Sequence, residues 1–177
     1  MIFTETKLRG AFVVEPERHE DERGFLALSW SRDEFAARGL SPDLVQCNIS
    51  FSAREGTLRG MHFQAAPHAQ AKLVRCTAGA VFDCIIDLRE GSETFARWFA
   101  VELTAENRLQ LYVPEGFAHG FQTLADESEV FYQMSSVYVP ESARGVRWDD
   151  PAFGINWPEA AERTINLRDR TYPDFVR

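Results

Sequence analysis

The sequence lacks any run of about 20 apolar residues, the length that a membrane-spanning helix needs. Its first ten residues, MIFTETKLRG, offer no long apolar stretch and no cleavage site, so no signal peptide is predicted. Cysteine is scarce: Cys47, Cys76 and Cys84 form no CxxC pair, and their odd number argues against a closed disulfide framework. Cys76 and Cys84 fall in apolar runs and are expected to be buried free thiols. We expect a soluble, cytoplasmic protein without membrane attachment.

Basic residues are also in short supply. Lysine and arginine number 19 against 27 acidic residues, which gives a net charge of −8. A chain that acidic is a poor binder of nucleic acid or anionic membrane, and neither is an expected partner. The phosphate-binding patterns GxGxxG and Walker A are missing too, so no redox or nucleotide cofactor is expected. A phosphorylated substrate would need a local basic site that outweighs the negative electrostatic field of the whole chain.

What the sequence does contain is a series of short β-like runs separated by turn residues, such as Ala78-Gly79 and Pro114-Glu115-Gly116. So many strands in one chain favour a single all-β domain over residues 1–177, folded as a double-sheet jelly roll with a cavity between its sheets. The predicted strands are Ala11–Val14, Gly24–Trp30, Val45–Phe51, Thr57–Phe63, Lys72–Ala78, Ala80–Leu88, Arg97–Leu103, Leu109–Val113, Ala118–Leu124 and Glu129–Ser136.

Helical signals are few. Ser31 is a good N-cap, acidic residues follow it, and Gly39 is a good terminator, so one short helix is predicted over Arg32–Arg38. The C-terminal part is rich in proline and tryptophan. It is predicted to be an irregular wrap with a helical turn near Pro158–Arg163.

Several predicted strands mix titratable side chains with apolar ones on one face. Since strand side chains alternate, the run Leu58–Gln64 is predicted to place Leu58, Gly60, His62 and Gln64 on one face. By the same rule Lys72, Asp83 and Tyr132 each share a face with apolar neighbours. Each of them alone has an ordinary structural explanation, but together they are typical of a cavity lined for chemistry.

The histidines do not have the pattern of a metal site. A metal-binding jelly roll usually has a His-x-His pair with a following glutamate, whereas this sequence reads His62-Phe63-Gln64. His119 stands in a stretch similar to the second metal-binding motif of such proteins. Two separate histidines without a carboxylate make a poor ligand set, so no metal is expected.

Motifs spread over nearly the whole chain resemble the dTDP-4-dehydrorhamnose 3,5-epimerase family. No single motif is specific, but the set in this order is. The matching segments are Asp21-Glu22-Arg23-Gly24-Phe25, Leu58–Gln64, Pro67–Val74, Gly79–Asp83, Val113–Phe121, Tyr132, Tyr138, Arg144-Gly145, Trp148, Asp150-Pro151, Trp157-Pro158 and Leu167-Arg168-Asp169.

The resemblance implies a cupin-like jelly roll that works as a homodimer with shared strands, without a cofactor, on a nucleotide-diphosphate 4-keto sugar. It implies His62 as general base, Asp169 as its support, Tyr132 as general acid and Lys72 as the group that stabilises the enolate. The sequence does not exclude Tyr138 as the acid. Further residues implied in binding the substrate are Arg23, Gln46, Asn48, Arg59, His119, Tyr138 and Arg168, the last at a position where the family commonly has lysine.

Four positions depart from the family pattern. Leu28 and Ala143 stand where glutamate is common, and Cys47 and Ile49 interrupt the usual Gln-Asp-Asn-His-Ser. A site that loses polar groups should prefer a differently substituted ligand. The alternatives are therefore epimerisation at one carbon only, or action on a GDP-, CDP- or UDP-linked sugar. A sugar-nucleotide-binding protein without catalytic activity is the alternative of another class.

Overall fold

The computed structural model describes residues 1–176 and contains two six-stranded sheets, a separate hairpin and two short helices. The strands are β1 (Ile2–Glu5), β2 (Phe12–Glu15), β3 (Arg18–Asp21), β4 (Gly24–Ala27), β5 (Gln46–Ser52), β6 (Thr57–Gln64), β7 (Lys72–Ala78), β8 (Ala80–Asp87), β9 (Trp98–Thr104), β10 (Gln110–Val113), β11 (Phe117–Thr123), β12 (Ser128–Met134), β13 (Ala143–Gly145) and β14 (Thr164–Ile165). The helices are α1 (Arg32–Ala36) and α2 (Leu167–Arg170), and a 3₁₀ turn covers Pro140–Ser142.

The first sheet has the order β1-β2-β10-β7-β12-β5, and the second has β13-β6-β11-β8-β9, with β14 alongside β6. All pairs are antiparallel except β14 with β6. The main core lies between the sheets, where Val74 and Leu111 of the first contact Val81, Ile85 and their neighbours of the second. The alternation predicted for β7 and β8 is thereby confirmed. The fold is the predicted cupin-like jelly roll.

The outer faces of the two sheets are covered differently. On the second sheet, Met61 and Ile86 pack under the C-terminal segment through Val146 and Phe153. On the first sheet, α1 inserts Phe35 over β2, β7 and β10, and burial of such a ring stabilises the fold by roughly 1.5–3 kcal/mol. Strand β5, at the other edge of this sheet, keeps an exposed apolar outer face.

The predicted early helix is confirmed, since Ser31 caps α1 by accepting from the Glu34 N–H. The predicted helical turn at Pro158–Arg163 is wrong. The Pro158 carbonyl accepts from the side chains of Gln122 and Arg163 rather than from a helical N–H, so these tertiary contacts replace the helix. The sequence prediction also missed β1, β3, β13 and β14. Neither helix in residues 1–176 is long or apolar enough to cross a membrane.

Candidate active site

The site is built on a bulge in β6. Along the pairing of β6 with β11, His62 lies opposite His119 and Arg59 lies opposite Phe121. Three residue steps on β6 therefore match two on β11, which is one extra residue on β6. The bulge brings Arg59 and His62 onto the same inner face, and both line one cavity. The prediction that Leu58 shares a face with His62 is wrong for this reason, because Leu58 pairs with Gln122 on the other side of the bulge.

Gly60 makes the bulge possible. Its φ of +126° is one that residues with a side chain rarely adopt, and an added Cβ would lie 2.5 Å from the Cα of Gly120. Its N–H, which the bulge leaves outside the regular ladder, donates to Oδ2 of Asp169 at 3.0 Å. The irregular strand thus supplies a backbone donor to a buried carboxylate.

Asp169 and His62 form a hydrogen-bonded pair. Nε2 of His62 lies 2.7 Å from Oδ1 of Asp169, whose side chain is fully buried. Asn166 fixes the backbone at Asp169, since its Oδ1 caps α2 by accepting from the Asp169 N–H at 2.7 Å. Burial raises the pKa of Asp169, but the hydrogen bonds from His62 and Gly60 outweigh burial and leave the pKa below its ordinary value. The carboxylate is therefore ionised at neutral pH and faces the imidazole.

A second histidine–aspartate pair stands beside the first. Nε2 of His119 lies 2.9 Å from both carboxylate oxygens of Asp83, and both side chains are buried. Lys72 on β7 completes this cluster and donates to the His62 carbonyl at 3.4 Å. Burial lowers the pKa of Lys72 to about 8, and the negative charge of Asp83 partly opposes that effect. At pH 7 the ammonium is still mostly charged, although it lies in a poorly hydrated place.

A chain of hydrogen bonds connects Tyr132 on β12 to the neighbouring strand β5. The Asn48 amide donates to the Tyr132 oxygen at 3.5 Å, and its own oxygen accepts from Gln46 at 3.1 Å. Gln46 in turn accepts from the backbone N–H of Tyr138 at 2.9 Å. These contacts fix the phenol relative to the rim of the sheet.

Two adjoining cavities, of about 220 and 170 Å³, share His62, Lys72 and Tyr132 in their walls. Asn48, Tyr138 and Arg168 line the larger cavity, and Arg59 and His119 line the smaller one. Since the same three side chains border both spaces, the cavities form one cleft. The fold thereby gathers an imidazole, a phenol and an ammonium group around a single space.

The structure does not bring Arg23 to this cleft. Arg23 lies at the turn of the β3–β4 hairpin, where it is exposed and paired with Asp21. The hairpin contacts the opposite end of the first sheet, because Arg18 donates to the carbonyls of Glu106 and Asn107. Within its own chain, Arg23 is therefore a surface residue.

Several residues of the cleft were missed by sequence reasoning. Gln64, Gln70, Met134 and Arg144 line the larger cavity, and Ser50 and Asn166 line the smaller one. Gln64 is the one that the sequence could have indicated, since the predicted alternation already placed it on the same face as His62. The others come from β5, the loop before β7, β12, β13 and the C-terminal segment, and only the tertiary fold brings them together.

The departures from the family pattern fall in two places. Ala143 lines the larger cavity, so this change alters the wall of the cleft. Leu28, Cys47 and Ile49 are instead exposed on the surface. Among residues 1–176, no three histidine, cysteine, aspartate or glutamate side chains form a group that could hold a metal ion.

Comparisons with known proteins agree with this geometry. The family model described as dTDP-4-dehydrorhamnose 3,5-epimerase matches residues 5–176. The enzyme of that name from Methanothermobacter thermautotrophicus is 46 % identical over 96 % of this chain and 92 % of its own. The crystal structure of the Elizabethkingia anophelis enzyme is 41 % identical, with a TM-score of 0.96 over 99 % of this chain and 96 % of that one.

A further structure is that of the dTDP-6-deoxy-D-glucose-3,5-epimerase from Legionella pneumophila in complex with dTDP-4-keto-L-rhamnose. It is 36 % identical, with a TM-score of 0.88 over 95 % of this chain and 89 % of that one. Sequence, fold and the residues of the cleft thus lead to the same conclusion, which is that the chain belongs to the dTDP-4-dehydrorhamnose 3,5-epimerase family of isomerases.

Proposed function

We propose that this protein epimerises dTDP-4-dehydro-6-deoxyglucose at C3 and C5, with His62 as base and Tyr132 as acid. The observation that carries the proposal is that His62, Lys72 and Tyr132 border both halves of one cleft. A carbon next to a ketone is acidic because its anion spreads onto the ketone oxygen. Epimerisation needs a base on one face of the sugar, a proton donor on the other and a cation near that oxygen.

In this mechanism, Asp169 fixes the proton on Nε2 of His62 and leaves Nδ1 to accept the proton from carbon. The 2.7 Å hydrogen bond and the low pKa of the carboxylate both support this role. The same carboxylate stabilises the imidazolium that forms. An imidazole ordinarily titrates near neutral pH, which suits a base that must later release its proton.

Lys72 stabilises the enolate oxygen. A preorganised cation in a poorly hydrated site acts more strongly on a developing negative charge than it would in water. Its pKa of about 8 leaves it charged at pH 7, and we expect activity to fall as the pH rises through that value.

Tyr132 returns a proton to the opposite face of the carbon. Tyr138 is the other candidate, but it lines only the larger cavity and half of its side chain is exposed. Tyr132 lines both cavities together with His62 and Lys72, and it has the hydrogen bond from Asn48. These contacts favour Tyr132 as the acid.

Arg59, His119 and Arg168 are proposed to bind the diphosphate and sugar, since the two arginines supply local positive charge to an otherwise acidic chain. The planar guanidinium group of arginine suits phosphate oxygens, which it binds two at a time. We expect loss of Arg59 to raise KM more than it lowers kcat.

A homodimer with shared strands would account for Arg23. Strand β5 is an unpaired sheet edge with exposed apolar residues, Ile49 at 65 % and Phe51 at 54 %, and the hairpin exposes Leu26 at 77 %. Surfaces of this kind are typical of protein interfaces. In such a dimer the hairpin would carry Arg23 into the cleft of the other protomer. The free thiols support the proposal that this dimer works in the reducing cytoplasm.

Mixed dimers test the sharing of Arg23. Arg23→Ala and His62→Ala protomers should each be impaired alone. After unfolding and refolding together, about half of the dimers should be mixed, and each mixed dimer has one intact cleft. Recovery of about a quarter of the wild-type rate is expected. No recovery, or a monomer by light scattering, contradicts the dimer proposal.

A second candidate is epimerisation at a single carbon, or of a sugar carried by another nucleotide. Ala143 in the cavity wall favours it, because the family commonly has glutamate there. A lost carboxylate changes which substituents the cleft can hydrogen bond.

The deciding experiment is proton NMR of dTDP-4-dehydro-6-deoxyglucose incubated with the enzyme in D₂O. Exchange at both C3 and C5 supports the main proposal, and exchange at one carbon supports the second candidate. His62→Ala should lower the exchange rate by about 10²–10⁴. The matched control is His68→Ala, which removes a histidine bonded to Ser142 rather than to Asp169. Absence of exchange with every nucleotide-linked keto sugar would leave only a binding function.

A further inference from the structure

His62 has a close neighbour on each side along the second sheet. In the register of the strands it lies opposite His119 on β11 and opposite Gly145 on β13. Residues that pair across strands have their side chains on the same face, about 5 Å apart. Because Gly145 has no side chain, the position next to the imidazole on this side must be filled from elsewhere.

Tyr172 fills that position. A Cβ added to Gly145 would collide with the Tyr172 ring, so the ring occupies the space of the missing side chain. The ring approaches the His62 imidazole edge to face, with centroids 6.4 Å apart and planes at 69°. The guanidinium of Arg168 lies 5.9 Å from the ring centre on the same segment. The ring is thus enclosed by the strand, the imidazole and the cation.

The hydroxyl of Tyr172 does not anchor the side chain through a hydrogen bond. It is buried beside the Arg168 guanidinium but makes no hydrogen bond of standard geometry among residues 1–176. A buried hydroxyl without a partner costs about 1–3 kcal/mol, so the oxygen does not explain why the residue is held here. The ring, which makes the contacts, does explain it.

The same segment carries Asp169, three residues earlier. Asp169 bonds to Nε2 of His62 from one direction, and the Tyr172 ring lies edge to face with the imidazole on another side. The carboxylate is fully buried, but 42 % of the His62 side chain is accessible. The carboxylate thus leaves much of the imidazole surface uncovered, and the Tyr172 ring lies against part of that surface.

We propose that Tyr172, packed in the gap at Gly145, is a positioning residue that holds His62 against Asp169 and keeps water from their hydrogen bond. The expected effect on kcat rests on the proposed function, whereas the expected effect on the hydrogen bond between His62 and Asp169 does not. It assigns no contact with the substrate to Tyr172.

The test compares Tyr172→Ala with Tyr172→Phe. Loss of the ring should lower kcat for C–H exchange by about 10–100-fold with KM nearly unchanged, since small misplacements of a catalytic group have effects of this size. The phenylalanine variant retains the ring and should stay within about twofold of wild type. In nitrogen-15-labelled protein, the proton on Nε2 of His62 should exchange with water faster in Tyr172→Ala and at the wild-type rate in Tyr172→Phe.

Two further variants separate positioning from general loosening of the segment. Phe175→Ala removes a ring that packs on Phe95 and Phe153, away from His62, and should leave kcat unchanged. Gly145→Ala should displace the Tyr172 ring and lower kcat as Tyr172→Ala does. Combined with Tyr172→Ala it should add no further loss, because the new methyl group enters vacated space.

Three outcomes would overturn the inference. They are wild-type kcat in Tyr172→Ala, equal losses in Tyr172→Phe and Tyr172→Ala, and a loss in Phe175→Ala as large as in Tyr172→Ala. The NMR measurement needs no turnover. If wild-type protein exchanged protons with no keto sugar, the proposed function would fail while the Nε2 proton would still decide whether Tyr172 holds His62.

Discussion

Replacement of Lys72 by methionine should make the protein more stable and much less active. Burial lowers the pKa of Lys72 from 10.5 to about 8. A difference of about 2.5 in pKa corresponds to about 3.5 kcal/mol, since each unit is worth about 1.4 kcal/mol. Methionine fills similar space without a charge to desolvate, so Lys72→Met should raise the free energy of unfolding by up to about 3.5 kcal/mol at pH 7. The enolate would lose its cation, and the exchange rate should fall by about 10²-fold or more.

The stability difference between Lys72→Met and wild type should depend on pH in a definite direction. Between pH 8 and 10.5 the unfolded chain holds the Lys72 proton while the folded protein has released it, so the stability of wild type rises with pH in that window. Above pH 10.5 both states are neutral and the cost of burying the charge disappears. The advantage of Lys72→Met should therefore be full below pH 8 and fall towards zero by pH 10.5.

The assay is chemical denaturation of wild type and variant at a fixed protomer concentration between pH 7 and 10.5, beside exchange kinetics in D₂O. Lys7→Met is the matched control, because Lys7 is the only other lysine of the chain and is exposed. It should show no change in relative stability across the range. A Lys72→Met variant that is less stable than wild type at pH 7, or whose advantage does not change with pH, would refute the reasoning.

Three other predictions concern carboxylates and the bulge. Asp169→Asn should lower kcat by about 10²–10⁴, because the amide N–H₂ would donate to Nε2 of His62 and move the ring proton to the nitrogen that must act as base; an unchanged exchange rate would contradict this. Gly60→Ala should destabilise the fold by more than about 2 kcal/mol in thermal unfolding, whereas Gly24→Ala, at a similar φ of +124° but with open space around it, should cost clearly less. Burial raises the pKa of Asp87, but hydrogen bonds from Arg89 and two hydroxyls outweigh burial and lower it to about 2. Asp87 should therefore contribute up to about 2 kcal/mol above pH 4, and the difference in unfolding free energy from Asp87→Asn should vanish as the pH falls towards 2.

Much of the architecture could be predicted from local sequence. Strand β7 begins and ends at the residues predicted from alternation, Lys72 and Ala78, and most other predicted strands shift by one or two residues. The short edge strands were missed because two to four residues are too few to show a period. The C-terminal turn was placed wrongly because a side chain from β11, Gln122, competes for the Pro158 carbonyl. Contacts of that kind leave no mark on the local pattern.

The sequence by itself determined where most strands lie along the chain, which of their side chains turn inward, as for Lys72 and Tyr132, and which chemical groups are available. It could do so because side-chain period and turn chemistry are local properties. Only the tertiary structure decided how those groups meet. The bulge at Gly60 exists because β6 must pass close to Gly120 of β11, and it changes which face Arg59 occupies. The C-terminal segment returns to β6 and sets Asp169 and Tyr172 on two sides of His62, more than 100 residues away in the chain. Pairing over such a distance depends on the shape of the whole fold, and no local pattern encodes it.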